Sequence, residues 1–293
     1  MFITNYLQQN KKPIISFEFF PPRTEKGIIS QEKAITALKE IEPDFVSVTF
    51  GAGGSSRKGS FQLIDKLKNK YNFNVIAYLA AYGLSVKDIK SILDKFKQLG
   101  VKNILAVRGD EPKEINNFTF HSESFKYASE LISLIKPLYN FNIGVAGYPE
   151  GHKEQNNFDN NIKHLKQKVN FGADFIISQF FADNSFYYDF VNKCRDSEIN
   201  VPIIPGIMPI YSMNMFENLS EMCGTTITEE LRNSLNKLPK DDKDAFFEFA
   251  LEFTTTQCKD LLKKGVPGLH FYTMNRAKLI IETIKQLKKD NLL

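Results

Sequence analysis

The chain has 293 residues, of which 42% are hydrophobic and 25% charged, and it carries a net charge of +4. This is the balance of a globular protein with ample length for a sizeable core. The small charge, with lysines scattered beside Asp and Glu, excludes a nucleic-acid footprint, and no apolar stretch approaches the roughly 20 residues of a membrane-spanning helix.

The opening segment "MFITNYLQQNKKP" lacks a basic start followed by an apolar run, so no secretory signal is expected. Residues 14–20 (IISFEFF) then read as a strand, interrupted by one glutamate, Glu18, and stopped by two prolines. A carboxylate inside an apolar strand is costly unless something requires it. Glu18 alternates with Phe17 and Phe19, so it points to the opposite face from both. Residues 30–41 place Ala34, Ile35, Leu38 and Ile41 on one helical face. A second strand is expected at 44–50, followed by "GAGGSSR" (51–57) and a helix at 60–71.

The third strand falls at 74–80, followed by a helix at 85–99 that opens on Ser85 and Asp88, an N-cap pairing, and stops at Gly100. Strands at 102–107, 142–148, 174–181 and 201–207 alternate with helices at 121–139, 158–170 and 185–197. Helices at 212–222, 227–238 and 241–264 precede the last strand, 268–273, and a closing helix spans 275–290. Eight strands, mostly continuous apolar runs and each followed by a helix, predict an α/β fold of the (β/α)8 TIM-barrel type. It forms a single domain over 1–293, with two extra helices before the eighth strand. A doubly wound open sheet is the alternative, and the count of eight favours the closed barrel.

In such barrels chemistry sits where strands end and the following loops begin. The strands offer Glu18, Thr49, Tyr78, then Arg108, Gly109 and Asp110, then Tyr148 and His152, then Gln179, and lastly Tyr272 and Arg276. With Phe17 and Phe19 toward the helices, Glu18 points into the barrel. Apolar neighbours raise its pKa, which suits a general acid near neutral pH. A structural ion pair to an inward Lys or Arg is the plainer reading. Asp110 could cap a turn, and Arg108 could take a phosphate or a carboxylate. Gln179 carries a paired donor and acceptor suited to the edge of a heterocycle. Tyr272 and Arg276 could simply pack at the rim, His152 and His164 could be surface residues, and Lys168 reaches either a phosphate or solvent.

"GAGGSSR" sits where a phosphate loop belongs, but Ser56 stands where the dinucleotide fingerprint needs glycine, and the acidic residue expected further on is absent. Only six of the 38 basic residues are arginines, so each arginine can mark a need for a planar fork of donors. Cys194, Cys223 and Cys258 have no metal or redox spacing. Reduced thiols, a cytoplasmic location and no metal centre are expected.

The phrases "SFEFFPPRT", "VSVTFGAGG", "LAVRGD", "GYPEGH", "DFIISQFF", "IIPGIMPI" and "GLHFYTMNRA", in that order, resemble methylenetetrahydrofolate reductase from about residue 14 to residue 280. The resemblance implies a barrel that binds FAD without a dinucleotide fold. NADH or NADPH acts as hydride donor, and 5,10-methylenetetrahydrofolate is reduced to 5-methyltetrahydrofolate for methionine synthesis. It implies Glu18 as the general acid and Asp110 as a charge near the flavin and pterin. The implied flavin contacts are Thr49, Tyr78, Arg108, Gly109, Asp110, Tyr127, Ala128, Tyr148, His152, Asn161, His164 and Lys168. The implied substrate contacts are Gln179, Leu219, Tyr272 and Arg276.

The chain departs from the family pattern where Tyr78 replaces a His, Ala80 a Thr, and Asn161 an acidic residue. Its end just after the eighth helix implies the bacterial form, a homo-oligomer without the eukaryotic regulatory domain. A cofactor-free lyase or aldolase using Glu18 and Asp110, and a folate-binding barrel without turnover, are the competing readings.

Overall fold

The eight apolar runs pair in parallel in chain order: β1 (Ile14–Phe19), β2 (Phe45–Val48), β3 (Val75–Ala80), β4 (Asn103–Val107), β5 (Asn142–Gly147), β6 (Phe175–Phe180), β7 (Ile203–Ile207) and β8 (Gly268–Tyr272). β8 closes onto β1 with Ile14 opposite Gly268 and Glu18 opposite Tyr272. This is the closed (β/α)8 barrel that the sequence predicts. The computed structural model describes residues 1–9, 12–50, 57–109, 125, 127–153, 157–239 and 242–293.

The helices are α1 (Ile3–Gln9), α2 (Glu25–Lys39), α3 (Arg57–Asp65), α4 (Val86–Gln98), α5 (Ala128–Leu138), α6 (Phe158–Asn170), α7 (Asn184–Asp196), α8 (Met213–Cys223), α9 (Glu229–Asn236), α10 (Lys243–Lys263) and α11 (Lys278–Lys289). Five differ from expectation. α3 starts three residues early, at Arg57, and passes into a π-helical stretch over Lys66–Lys70. α1 was not foreseen; its seven residues are too few to show a periodic face. α2 begins before residue 30 because Thr24 caps it, its hydroxyl accepting from the Gly27 amide at 3.1 Å. α5 begins at Ala128 rather than 121, because Tyr127 is extended and Phe125 forms a bridge to Tyr82. α11 starts three residues late, because Met274 and Asn275 take positive φ (49° and 53°), which a helix excludes.

The alternation along each strand sorts two cores. Phe17, Phe19, Val46, Val48 and Phe271 face the helices in the larger cluster. Ile14, Phe45, Ile76, Leu105, Phe175 and Ile204 fill the barrel interior, and Ile3 of α1 plugs its lower end. The Ile3 and Thr4 amides donate to the side chains of Asn103 and Asn142 at 3.0 and 3.1 Å, fixing the plug. Gly144 is required by this packing: a Cβ there would lie 2.4 Å from the Phe175 ring. Above the apolar layer the interior turns polar, with Ser16, Ser47 and His270 fully buried.

Among the described residues no helix is long and apolar enough to cross a membrane, and no group of His, Cys, Asp and Glu could hold a metal ion. The three cysteines are free, with Cys194 and Cys258 buried.

Candidate active site

Glu18 lies at the upper end of β1, half-buried, and its side chain enters the barrel as the alternation requires. Its partner is a phenol, not a cation: Tyr78 of β3 donates its hydroxyl to Oε2 at 2.5 Å. The two strands are not neighbours, so this bond crosses the interior above β2. Burial pushes the Glu18 pKa up to about 7, while the Tyr78 hydrogen bond works against the rise. A carboxyl so placed holds its proton up to neutral pH.

The backbone around Glu18 is clamped by the turn after β8. Thr273 donates its hydroxyl to the Glu18 carbonyl at 2.5 Å. The Asn275 side-chain NH2 donates to the Phe20 carbonyl at 3.0 Å, and the Gln31 side-chain NH2 donates to the same carbonyl at 2.6 Å. The positive φ values of Met274 and Asn275 turn the chain back to make these contacts.

Beneath Glu18, Ser47 lies beside the Tyr78 hydroxyl, whose pKa it lowers, and 3.4 Å from His270 Nε2. His270 Nδ1 is 2.8 Å from the Ser16 hydroxyl. Burial pushes the His270 pKa down to about 3, so the ring is neutral.

On the opposite wall Tyr272 donates its hydroxyl to the Ser178 carbonyl at 2.8 Å. Burial and the nearby Glu18 carboxyl both push its phenol above the ordinary value. Gly206 makes room for it, because a Cβ there would lie 2.2 Å from the Ser178 carbonyl and 2.6 Å from the Tyr272 ring. The β6–β7 register shifts between Ile177 and Phe180, re-aiming Gln179 at the mouth. Gln179 accepts the Phe180 amide at 2.9 Å through Oε1, which leaves its own NH2 group for a ligand.

A second space adjoins this one. A cleft of about 310 Å³ between the ends of β4 and β5 and helices α5 and α6 is lined by Arg108, Tyr127, Ala128, Tyr148, His152, Asn161, His164 and Lys168. Tyr148 and His152 meet edge to face with centroids 4.7 Å apart. Asn161 holds this loop in place: its Oδ1 accepts the His152 amide at 3.1 Å and its NH2 donates to the Asn157 carbonyl at 2.9 Å. Lys168 brings the charge. Burial alone pushes its pKa down to about 8, with no carboxylate offsetting that loss among the described residues. Gly109 closes the edge at φ 84°, where a Cβ would lie 2.9 Å from that of Ala80.

Thus eight of the residues expected to hold a cofactor line one cleft, and Glu18, Tyr78 and Tyr272 meet in the barrel mouth. Thr49 directly follows β2, half-buried. Arg276 is exposed and stacks over Tyr211 with 5.3 Å to the ring centroid. Leu219 sits on α8, packed in an apolar cluster that Tyr272 also adjoins. Asp110 and most of "GAGGSSR" lie outside the described residues. Sequence reasoning passed over Ser47, His270 and Thr273. Ser16, Ser47 and His270 are polar residues on the inward face of apolar strands, at or next to the level of Glu18 in register, and that was the available signal.

Comparison with known proteins bears on the family and on the barrel fold. The family model for methylenetetrahydrofolate reductase matches residues 3–288. Methylenetetrahydrofolate reductase 1 of Schizosaccharomyces pombe is 37% identical over 280 residues, covering 94% of this chain and 46% of the yeast protein. The 5,10-methylenetetrahydrofolate reductase of Buchnera aphidicola subsp. Schizaphis graminum is 32% identical over 274 residues, covering 92% of this chain and 90% of its own. The chain therefore spans about half the length of the yeast and plant relatives it matches, and most of the bacterial one. A solved barrel from Clostridium thermocellum, described as binding two copies of 5-methyl-5,6,7,8-tetrahydrofolic acid, has the same fold with a TM-score of 0.63 at 18% identity, covering 99% of this chain and 98% of that one. The chain belongs to the methylenetetrahydrofolate reductase family.

Proposed function

We propose that the chain reduces 5,10-methylenetetrahydrofolate to 5-methyltetrahydrofolate, with FAD as cofactor and NADH or NADPH as hydride donor. The observation that carries this reading is the pairing of a neutral, inward carboxyl at Glu18 with a separate cleft built around Lys168, which no carboxylate pairs among the described residues. A half-buried ammonium without a carboxylate is offset by an anionic ligand. The cleft's aromatic side chains and its Arg108 and Lys168 cations suit the rings and phosphates of FAD. Arg108, Tyr148, His152 and Lys168 would hold it, with Tyr127 and His164 at the rim. When bound, FAD supplies the hydride that the polar side chains of this barrel cannot.

The chain's own residues do the rest. Glu18 gives its proton to the substrate ring nitrogen that departs from the methylene carbon. The carbon–nitrogen bond opens and leaves an iminium, the electrophile to which hydride adds. Tyr272 and the free NH2 of Gln179 orient the pterin, and Arg276 and Leu219 are assigned to the outer part of the folate. Asp110 is assigned a negative charge that stabilises the cationic iminium.

The visible spectrum of the purified protein tests the reading. A flavin spectrum, bleached by NADH or NADPH and restored by methylenetetrahydrofolate, is expected. A colourless protein that added FAD cannot colour would overturn it. A cofactor-free lyase would instead act without flavin.

A further inference from the structure

Tyr78 stands where the family pattern puts a histidine, and the structure ties its hydroxyl to the acid. We propose that Tyr78, backed by Ser47 and His270, is a positioning residue that holds one oxygen of Glu18 so that the other presents the proton to substrate. The proposal rests on Glu18 being the acid, as read above.

Three observations converge. First, Tyr78 donates to Oε2 at 2.5 Å from across the barrel, so the carboxyl is fixed from β3 as well as from its own strand. With Oε2 occupied as an acceptor, the acidic hydrogen of the neutral carboxyl belongs on Oε1. Second, Ser47 lies beside the Tyr78 hydroxyl, where it favours negative charge on the oxygen, and 3.4 Å from His270 Nε2. With the Tyr78 hydroxyl donating to Oε2, the carboxylate left when the proton departs is stabilised. Third, Ser16, Ser47 and His270 are fully buried, and Ser16 donates to the Leu269 carbonyl at 3.2 Å, so this polar layer supports Tyr78 from below.

The described titratable groups around Glu18 are Tyr78 of β3 and Tyr272 and His270 of β8, while β2 presents only Ser47. Both phenols are pushed above their ordinary value and the imidazole is held neutral. The titration near neutrality therefore belongs to Glu18. A ring that merely packs, or merely touches the flavin, would serve as well as phenylalanine.

The experiment uses the flavin-loaded enzyme and follows the Glu18 carboxyl directly, by carbon-13 NMR of glutamate-labelled protein with the signal assigned by its loss in Glu18→Gln. In Tyr78→Phe the midpoint of this titration is expected to rise by about one pH unit, and the alkaline limb of the folate half-reaction to rise with it. Ser47→Ala should shift both in the same direction by less, and add nothing in the Tyr78→Phe background. An unchanged Glu18 titration in Tyr78→Phe would overturn the proposal. So would an equal effect of Ser47→Ala with and without the Tyr78 hydroxyl. If Tyr78→Phe does not fold, Ser47→Ala alone decides, and an unchanged midpoint there overturns the proposal. A wild-type protein without folate reduction would instead defeat the assignment of function, while the carboxyl titration still reads the Tyr78 contact.

Discussion

Thr273 joins β8 to β1 by donating its hydroxyl to the carbonyl of Glu18, 2.5 Å away. β1 thus has its backbone held at Glu18, the residue proposed as the acid. Thr273→Val keeps the shape and removes the donor. It is expected to cost about 1 kcal/mol of stability, with kcat for folate reduction falling more than the rate of flavin reduction. Urea denaturation and the two half-reaction rates check this.

Gly206 is the floor under Tyr272. Gly206→Ala puts a methyl group within 2.6 Å of the Tyr272 ring and 2.2 Å of the Ser178 carbonyl. Overpacking at such a site is expected to cost about 1–3 kcal/mol. The displaced phenol should raise KM for the folate with little change in KM for the nicotinamide donor, as steady-state kinetics would show.

The raised pKa of Glu18 sets a pH window. The folded protein holds the proton up to about 7, against an ordinary value of 4.5. Between those values the folded state binds more protons than the unfolded one, so this group's contribution to stability falls as pH rises through the window. Glu18→Gln lacks the group. Its stability relative to wild type should therefore improve between pH 5 and pH 8, measured by denaturation at both. The folate half-reaction of the wild type should decline as pH rises through about 7.

Lys168 has the opposite sign. Its pKa is pushed down to about 8 from 10.5, so above pH 8 the unfolded state binds the extra proton and flavin-free protein gains stability from this group. Lys168→Met should lack that gain. It should also weaken FAD binding by at least about ten-fold, from the loss of a charge-assisted contact to phosphate. Fluorescence titration of the apoprotein with FAD measures the second effect.

The barrel frame was legible because its strands are near-continuous apolar runs, a pattern that parallel strands buried on both faces require. All eight strands begin and end within two residues of expectation. The inward direction of Glu18 followed from its alternation with Phe17 and Phe19. Its partner did not, because Tyr78 reaches Glu18 only once closure brings β3 across from β1. The family pattern placed Tyr78 against the flavin and drew attention from the acid. Ser47 and His270 were read as parts of apolar runs, since period-two alternation marks a face without saying that the face is polar inside. α1 escaped for a related reason: Ile3 is apolar alone, and the barrel end that it plugs exists only in three dimensions.

The most direct measurement of the central claim is rapid-mixing absorbance of Glu18→Gln, with the two half-reactions followed separately. If Glu18 delivers the proton that opens the folate ring, NADH or NADPH still bleaches the flavin at close to the wild-type rate, and methylenetetrahydrofolate no longer restores its colour. Equal loss of both half-reactions would show that Glu18 holds the barrel together and is not the acid.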